Sequence, residues 1–415
     1  MSEGQVERLT PKGTGLLFDK ARPIYISEGL PNEHVHYAIT HHAKTYSRAK
    51  ITRIVTENPD RVSPLCPLSG RCGGCQLQHY DYAAQLAWKQ ACLADALSEF
   101  DTQLLPPIAS PPFYWRNKLQ MDVTGNVIGL SEKDSATPVD IPHCFLVSET
   151  NNRVLAELRV LLKKDPIQGL SRIAIREHRK QHMLVFYAQE ISPNTLLELQ
   201  KLPQIASIYL MKPGPTPTSQ LLYGETYLWQ QIGELTFPIG PDGFFQGNAA
   251  CLDIFVSAVA DACQLSTNKT LWDLHAGSGL LGLSLAKRAA NVILSEAYPE
   301  SRMMGEMVIS KFAISNATYK AISAEESIRY LPHSGTHTLL LDPPRKGCTP
   351  ELIAHICDKK PDRVVYVSCN MDPFVSAAKQ LCATGYSLSQ VQLIDMFPHT
   401  IHAETIAVFV KKGAP

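Results

Sequence analysis

The pattern of apolar and polar positions divides the chain into three parts. Up to residue 62, short stretches such as PIYI and AKITRIV alternate between apolar and polar residues, and glycines and prolines separate them, which predicts a small β-barrel. Residues 63–238 mix helical and strand-like stretches, as in an α+β domain. From residue 239 to residue 415, strands and helices alternate, which is typical of an open α/β sheet. The sequence therefore predicts an α/β protein of three domains.

Composition limits the classes of protein that fit this chain. It has 415 residues, of which 45% are hydrophobic, and it has no uncharged apolar run of the ~18 residues that a membrane span needs. The opening MSEGQVERLTPKG lacks the apolar stretch of a signal peptide, so we expect a cytoplasmic protein with no membrane partner, and a monomer. Eleven cysteines in that compartment indicate thiol or metal chemistry rather than disulfides.

The overall charge gives no sign of a nucleic-acid partner, because the formal net charge is +0. Local basic patches also bind nucleic acids, however, and the strands of the first domain carry one. Its side chains face either phosphates or solvent, and the sequence leaves both possibilities open. The patch consists of His34, His36, His41, His42, Lys44, Arg48, Lys50 and Arg53.

A cysteine-rich loop, LCPLSGRCGGCQLQH, is the most specific metal signal. Cys66, Cys72 and Cys75 form a C-x5-C-x2-C pattern, and the two glycines between the last two cysteines let the backbone fold tightly around one ion or cluster. Cys144, which follows a Pro-His turn, is the best candidate for a fourth ligand. Zinc and an iron–sulfur cluster both accept four thiolates, so the pattern leaves the metal open.

A glycine-rich turn, GSGLLG, is the first cofactor-binding signal in the third domain. Gly277, Gly279 and Gly282 match the G-x-G-x-x-G pattern of dinucleotide sites. Asp273 ends the preceding strand, however, and an acid at that place is typical of S-adenosylmethionine sites, so we favour a methyl donor over NAD. Glu296 ends the next strand, where its carboxylate suits the ribose hydroxyls of either cofactor.

Two further strands end at residues that are candidates for substrate binding and catalysis. The strand before DPPRKG ends at Asp342, a motif that resembles the loop by which many methyltransferases hold a planar substrate. The next strand, VVYV, leads into Cys369, which is either a small buried apolar residue or a nucleophile at the ligand-binding edge of the sheet. A nucleophilic route also needs a base, and Glu404 is favoured over His399 and His402.

Five motifs, in order, resemble those of one family, the RNA uracil-5-methyltransferases, and specifically the 23S ribosomal RNA branch with a TRAM domain. They are CGGCQLQH, FFQGN, DPPRKG, VYVSCN and FPHTIHAE, and the resemblance covers nearly the whole chain. It implies an OB-like TRAM barrel that binds RNA, a central domain with a 4Fe-4S cluster and a Rossmann-like domain that binds S-adenosylmethionine. The implied cluster ligands are Cys66, Cys72, Cys75 and Cys144.

The resemblance also assigns roles in methyl transfer to C5 of uridine. Cys369 would add to C6 of the base and make C5 nucleophilic, and Glu404 would remove the C5 proton after the methyl group has arrived. The remaining residues would surround the donor and the target base. They are Gln246, His275, Gly277, Gly279, Glu296, Ser323 and Asp342.

Four positions depart from the family's usual pattern. His275 and Ala276 replace an aromatic residue and a cysteine, Leu280 stands where asparagine is common, and Ser323 stands where asparagine often meets the adenine. These changes concern donor affinity, since Asp273 and the glycines are in place. The sequence therefore predicts a 23S rRNA methyltransferase; a tRNA uridine methyltransferase, a noncatalytic RNA-binding protein and an NAD-dependent oxidoreductase are the alternatives.

Overall fold

The computed structural model describes residues 2–214, 218–333 and 336–413. Within these ranges, no helix is both long enough and apolar enough to cross a membrane. Four β-sheets are present in this part of the chain, with six, seven, two and eight strands. All eleven cysteines lie within the described residues and are free of disulfide bonds.

The first residues form the six-stranded sheet, in the order β1-β5-β6-β4-β3-β2. Its core contains Leu17, Ile26, Val35 and Tyr37 from alternate positions of neighbouring strands. On β6, Arg48 and Lys50 point away from that core and are exposed. The strands are β1 (Ser2–Gln5), β2 (Arg8–Leu9), β3 (Gly15–Asp19), β4 (Arg22–Ser27), β5 (His34–His42) and β6 (Ser47–Thr56).

The middle of the chain forms the seven-stranded sheet and the two-stranded sheet. The larger sheet has the order β10-β9-β8-β11-β12-β13-β14, and α2 and α3 cover one of its faces. Ser148 and Ser192 begin these two helices by accepting backbone hydrogen bonds with their side chains. The elements are α1 (Tyr82–Ala96), β7 (Gln103–Leu104), β8 (Lys118–Thr124), β9 (Val127–Ser131), β10 (Pro138–Asp140), α2 (Glu149–Lys164), β11 (Arg172–His178), β12 (Gln181–Tyr187), α3 (Pro193–Gln200), β13 (Ile205–Lys212), β14 (Thr218–Gly224), β15 (Leu228–Ile232) and β16 (Leu235–Ile239).

The last part forms the eight-stranded sheet, in the order β19-β18-β17-β20-β21-β23-β22-β7. Strands β17 to β21 pair in parallel, and helices cover both faces of the sheet. The elements are α4 (Leu252–Cys263), β17 (Thr270–Asp273), α5 (Leu280–Ser284), β18 (Asn291–Ser295), α6 (Pro299–Phe312), β19 (Ala317–Lys320), α7 (Ala324–Ser327), β20 (His337–Leu341), α8 (Pro350–Lys359), β21 (Arg363–Ser368), α9 (Met371–Ala383), β22 (Tyr386–Ile394) and β23 (Glu404–Lys411), with short 3-10 helices at Ala249–Cys251, Ala286–Arg288 and Ile328–Tyr330.

The alternation of strands and helices ends before the last strand. No helix separates β22 from β23, and β23 runs antiparallel to both β21 and β22. The loop between β22 and β23, residues 395–403, therefore lies at the same edge of the sheet as the carboxyl ends of β20 and β21. This edge carries the candidate site.

Helix α1 and strand β7 pack on the eight-stranded sheet although they precede the central sheet in sequence. Strand β7 pairs in parallel with β22, and Leu93 of α1 lies with Leu97, the residue after the helix, in the same apolar core as Phe409 of β23. The segment 82–104 therefore joins the last part of the chain. The boundaries at residues 62 and 238 stay predictions.

Candidate active site at the carboxyl edge of the sheet

Three predicted site residues converge where strands β20, β21 and β23 meet. Asp342 follows β20 directly, Cys369 follows β21 directly, and Glu404 is the first residue of β23. Because β23 is antiparallel to β21, its beginning lies beside the end of β21, and the Thr405 hydroxyl donates a 3.2 Å hydrogen bond to the Ser368 carbonyl. The fold thus brings a thiol and two carboxyls to one place from positions far apart in sequence.

Burial shapes the protonation of these groups. The pKa of Asp342 is raised to about 7 by burial. Glu404 is 3% exposed, and its pKa is raised well above the usual value by burial and by the neighbouring charge of Asp342. Burial and then the charge of Glu404 raise the pKa of the Cys369 thiol to about 11. In the free protein the thiol is therefore protonated at neutral pH, and it has to lose that proton to act as a nucleophile.

Arg345, which sequence reasoning did not assign, is the cation that faces the thiol. Its charge lowers the pKa of Cys369 and so opposes the effect of Glu404. Its backbone is fixed because the Asn370 side chain donates a 2.9 Å hydrogen bond to the Arg345 carbonyl. Its position inside DPPRKG, three residues after Asp342, was the available signal.

The two alternative bases are less suited to proton abstraction than Glu404. Burial, together with nearby cations, lowers the pKa of both His399 and His402 to about 4, so each ring is a weak base. The His399 ring is also occupied, because its Nδ1 lies 3.0 Å from Nε2 of Gln85 and the ring stacks on Phe113 with centroids 4.4 Å apart. The geometry favours Glu404.

The glycine-rich turn has the backbone shape that requires glycine. Gly277 and Gly279 have φ angles of +54° and +82°, in the left-handed region. The Gly282 amide donates a 3.0 Å hydrogen bond to Asp273 Oδ2, and a Cβ at Gly282 would lie 2.8 Å from that oxygen. Asp273 therefore anchors the first turn of α5, and burial together with the charge of Asp342 raises its pKa to about 7.

Glu296 ties the glycine turn to the next strand. Its Oε2 accepts a 3.0 Å hydrogen bond from the Gly277 amide, and its Oε1 accepts a 2.6 Å hydrogen bond from the Tyr298 amide. Each carboxylate oxygen keeps further acceptor capacity. Its contact with a ribose stays a prediction.

Tyr319 supports the same turn and was not found from the sequence. Its hydroxyl donates a 3.2 Å hydrogen bond to the Gly277 carbonyl. A Cβ at Gly279 or at Gly305 would overlap this hydroxyl, so both glycines make room for the tyrosine. No local pattern marks Tyr319, because its partners lie on two other elements.

The other predicted donor residues differ in their surroundings. Gln246 is buried, and its backbone carbonyl accepts a 2.9 Å hydrogen bond from the Asn117 side chain. The buried Nδ1 of His275 has no hydrogen-bond partner among the described residues, so it is available to a ligand. Ser323 caps α7 by accepting a 3.2 Å hydrogen bond from the Glu326 amide, which explains this residue without a ligand.

The four predicted cluster ligands line one cavity. Cys66, Cys72, Cys75 and Cys144 all border it. The charge of Cys144 raises the pKa of each of the other three thiols in addition to burial, and the pKa of Cys75 reaches about 12. The Gly74 amide donates to Cys72 Sγ at 3.4 Å.

A side-chain amide also contacts one of these thiols. Gln78 Nε2 donates a 3.2 Å hydrogen bond to Cys75 Sγ. Hydrogen bonds to the sulfurs are a feature of iron–sulfur sites. Within the described part of the chain, no group of three or more His, Cys, Asp or Glu side chains is close enough to hold one metal ion. The cluster itself stays a prediction.

Comparisons with known proteins agree on the fold. The tRNA (uracil-5-)-methyltransferase family model matches residues 228–412. The Pyrococcus abyssi tRNA (uracil-54, C5)-methyltransferase in complex with S-adenosyl-L-homocysteine superposes with a TM-score of 0.81 at 24% identity, covering 99% of this chain and 100% of that chain. The likeness to that structure concerns the fold.

Relatives of similar length carry the family assignment. An uncharacterized RNA methyltransferase of Bacillus cereus is 30% identical over 436 residues, covering 97% of this chain and 95% of the relative. One of Halalkalibacterium halodurans is 29% identical over 448 residues, covering 99% and 97%. Together with the family model and the site at the sheet edge, these matches show that the chain belongs to the RNA uracil-5-methyltransferases, which use S-adenosylmethionine as methyl donor.

Proposed function

We propose that this protein methylates C5 of a uridine in 23S ribosomal RNA. The observation that carries the proposal is the meeting of Cys369, Glu404 and Asp342 at one edge of the sheet. They are close enough for Glu404 and Asp342 to raise the pKa of Cys369 and for Asp342 to raise that of Glu404. A noncatalytic RNA-binding protein has no need of a thiol and two costly buried carboxyls at one edge. An NAD-dependent oxidoreductase has no use for this thiol and carboxyl pair.

The residues divide the chemistry between them. Cys369, as thiolate, forms a bond to C6 of uracil, and the electron pair of the C5=C6 bond makes C5 nucleophilic. S-adenosylmethionine supplies an electrophilic methyl group. Glu404 then takes the C5 proton, the C5=C6 bond re-forms and the thiolate leaves. Asp342 would hold the base in position, and the cation Arg345 would favour the thiolate.

The choice of 23S rRNA rests on the cysteine loop together with the N-terminal sheet, which resemble the ribosomal RNA branch. The tRNA alternative stands because the structure that matches at a TM-score of 0.81 is a tRNA methyltransferase. Nucleoside analysis of separated rRNA and tRNA from a deletion strain distinguishes the two. We expect 5-methyluridine to disappear from 23S rRNA and to be restored by the wild-type gene but not by Cys369→Ala; loss from tRNA alone would contradict the rRNA assignment.

We further propose that Cys66, Cys72, Cys75 and Cys144 hold a 4Fe-4S cluster of structural use. The protein purified without air should be brown, and Cys72→Ala or Cys144→Ala should remove the colour. Cys92→Ala is the matched control, since Cys92 lies within α1 and outside the cavity. A colourless wild-type protein with one zinc ion per chain would overturn the iron assignment.

We also propose that residues 1–62 form a TRAM barrel that binds RNA phosphates through β6. The double variant Arg48→Gln, Lys50→Gln should weaken RNA binding and lower its salt dependence. With fewer phosphate contacts, RNA binding releases fewer counterions. These two side chains are exposed, so the change should leave the fold intact. Equal RNA affinity of the variant and the wild type across a salt series would exclude this role.

A further inference from the structure

The segment 113–118 runs along two loops that carry predicted site residues. The Asn117 amide donates a 2.9 Å hydrogen bond to the Gly247 carbonyl of the FFQGN loop. At its other end, Phe113 stacks on His399 in the loop that leads to Glu404. The segment therefore lies directly beside the candidate site and is held there by its backbone and its inward side chains.

The side chains of this segment divide into a buried set and an outward set. Trp115 and Asn117 are only 5% and 7% exposed. The alternate residues Tyr114, Arg116 and Lys118 are exposed or half-buried, and we name these three the outward strip. The strip combines an aromatic ring with two cations, and Arg116 Nε donates a 2.8 Å hydrogen bond to the Lys118 carbonyl within it.

Tyr114 is exposed in a backbone conformation that tyrosine rarely adopts. Its φ angle is +58°, and 48% of the residue is exposed. The ring centroid lies 6.5 Å from that of Phe113, and the hydroxyl is hydrogen-bonded to Glu149. A backbone hydrogen bond of 3.0 Å from the Tyr114 amide to the Phe145 carbonyl holds this conformation. Left-handed non-glycine residues are strained and cluster at ligand sites. The ring is thus presented to solvent beside the active site at a cost to folding.

The cations of the strip lack carboxylate partners. Lys118 lies directly opposite Arg176 in the β8–β11 register, and like charges at such positions repel. Within the described residues, Arg116, Lys118 and Arg176 form no ion pair, and the buried Arg176 Nε has no hydrogen-bond partner. Arg176 is itself 2% exposed and donates a 2.7 Å hydrogen bond to the Gly243 carbonyl, so Arg116 and Lys118 are the cations that a phosphate can reach.

The charges around Lys118 are not balanced. Burial and then Arg176 lower the pKa of Lys118 to about 8, and Arg116 and Arg172 act in the same direction. Arg172 already pairs with Asp122 at 2.9 Å. Asp242 is the single acid whose charge favours the protonated lysine in this set. The cationic groups therefore outweigh the acid that faces them.

We propose that the outward strip binds the unpaired RNA strand next to the target uridine. Tyr114 stacks on a neighbouring base, and Arg116 and Lys118 bind phosphates, which is how proteins hold single strands. The proposal rests on the proposed function and adds the form of the substrate. Attack on C6 requires the target base to leave any helical stack, so the neighbouring nucleotides at this edge are unpaired as well.

Stacking is tested by comparing a single-stranded uridine-containing oligoribonucleotide with the same sequence in a duplex. We expect Tyr114→Ala to weaken single-strand binding by roughly 5- to 150-fold, which corresponds to the ~1–3 kcal/mol of one base–aromatic stack. Tyr114→Phe should restore binding, because it keeps the ring. Tyr223→Ala, an exposed tyrosine on β14 at the far edge of the central sheet, is the matched control.

The charge component is tested separately. Lys118→Gln should lower the slope of log affinity against log salt by about 1, whereas Lys163→Gln on α2 should not. Binding of S-adenosylmethionine should be unchanged in both variants. If the wild type methylates RNA, then unchanged RNA affinity of Tyr114→Ala, or a preference of the wild type for the duplex, would overturn this proposal. If the wild type does not methylate RNA, the proposed function itself would be overturned.

Discussion

Replacing Lys89 with methionine should destabilise the protein through the loop that precedes Glu404. The Lys89 ammonium donates hydrogen bonds to Asp395 Oδ1 at 2.7 Å, to the Phe397 carbonyl at 3.2 Å and to the His402 carbonyl at 2.8 Å. Its side chain is 2% exposed, and that of Asp395 is 0% exposed. One cation from α1 thus binds both ends of the loop 395–403.

The expected magnitude follows from what the substitution leaves behind. Methionine keeps most of the aliphatic volume, so the cavity is small, but the Asp395 carboxylate remains buried without its cation. Breaking a buried pair in this way costs about 3–5 kcal/mol. Removing both charges in Lys89→Met with Asp395→Leu should recover most of that loss, because neither partner is then left unpaired.

Urea unfolding, followed by the fluorescence of the tryptophans, measures both variants against the wild type. The transition of the eight-stranded sheet is the one to compare, since a chain of several domains need not unfold in one step. In Lys89→Met, turnover should fall more strongly than affinity for the donor. The reason is that the loop 395–403 leads to Glu404 and not to the glycine turn. A loss below about 1 kcal/mol, or a double variant as unstable as the single one, would refute the argument.

Two further outcomes follow from the donor turn and from the outward strip. The Cβ added in Gly305→Ala overlaps the Tyr319 hydroxyl, which holds the glycine turn. This variant should therefore bind S-adenosylmethionine more weakly in calorimetry and unfold at a free energy lower by about 1–3 kcal/mol. Unchanged affinity would contradict this. RNA affinity of the wild type should fall roughly tenfold between pH 7 and pH 9, because Lys118, with its pKa near 8, loses the proton that an RNA phosphate favours. Lys118→Arg should remove that dependence, and a wild type that shows none would refute it.

The strand ends that carry the candidate residues could be predicted from the sequence. Cys369 and Asp342 each follow an uninterrupted apolar strand, and parallel strands place their carboxyl ends at one edge. Glu404 was readable from the motif but not from the alternation of strands and helices, because β23 reverses direction. The φ angles of Gly277 and Gly279 explain why that turn needs glycine.

The contacts that hold the site in place could not be predicted from the sequence, because they join segments that are distant along the chain. Lys89 and Asp395 are 306 residues apart, and nothing near either residue indicates the other. Tyr319 contacts glycines of two other elements, and the placement of α1 on the last sheet depends on an apolar core shared with β23. Periodicity identifies the buried face of a helix, but it does not say which sheet that face meets.

Trapping of the covalent adduct tests the central claim, that Cys369 attacks C6 and Glu404 removes the C5 proton. With S-adenosylmethionine and RNA, Glu404→Gln should accumulate a methylated RNA joined to the protein on a denaturing gel, because the thiolate adds and the methyl group transfers but elimination stalls. Cys369→Ala and the double variant should give no adduct and no 5-methyluridine. Full turnover by Cys369→Ala, with only a modest loss of stability, would show instead that Cys369 is a buried apolar residue and would contradict the account.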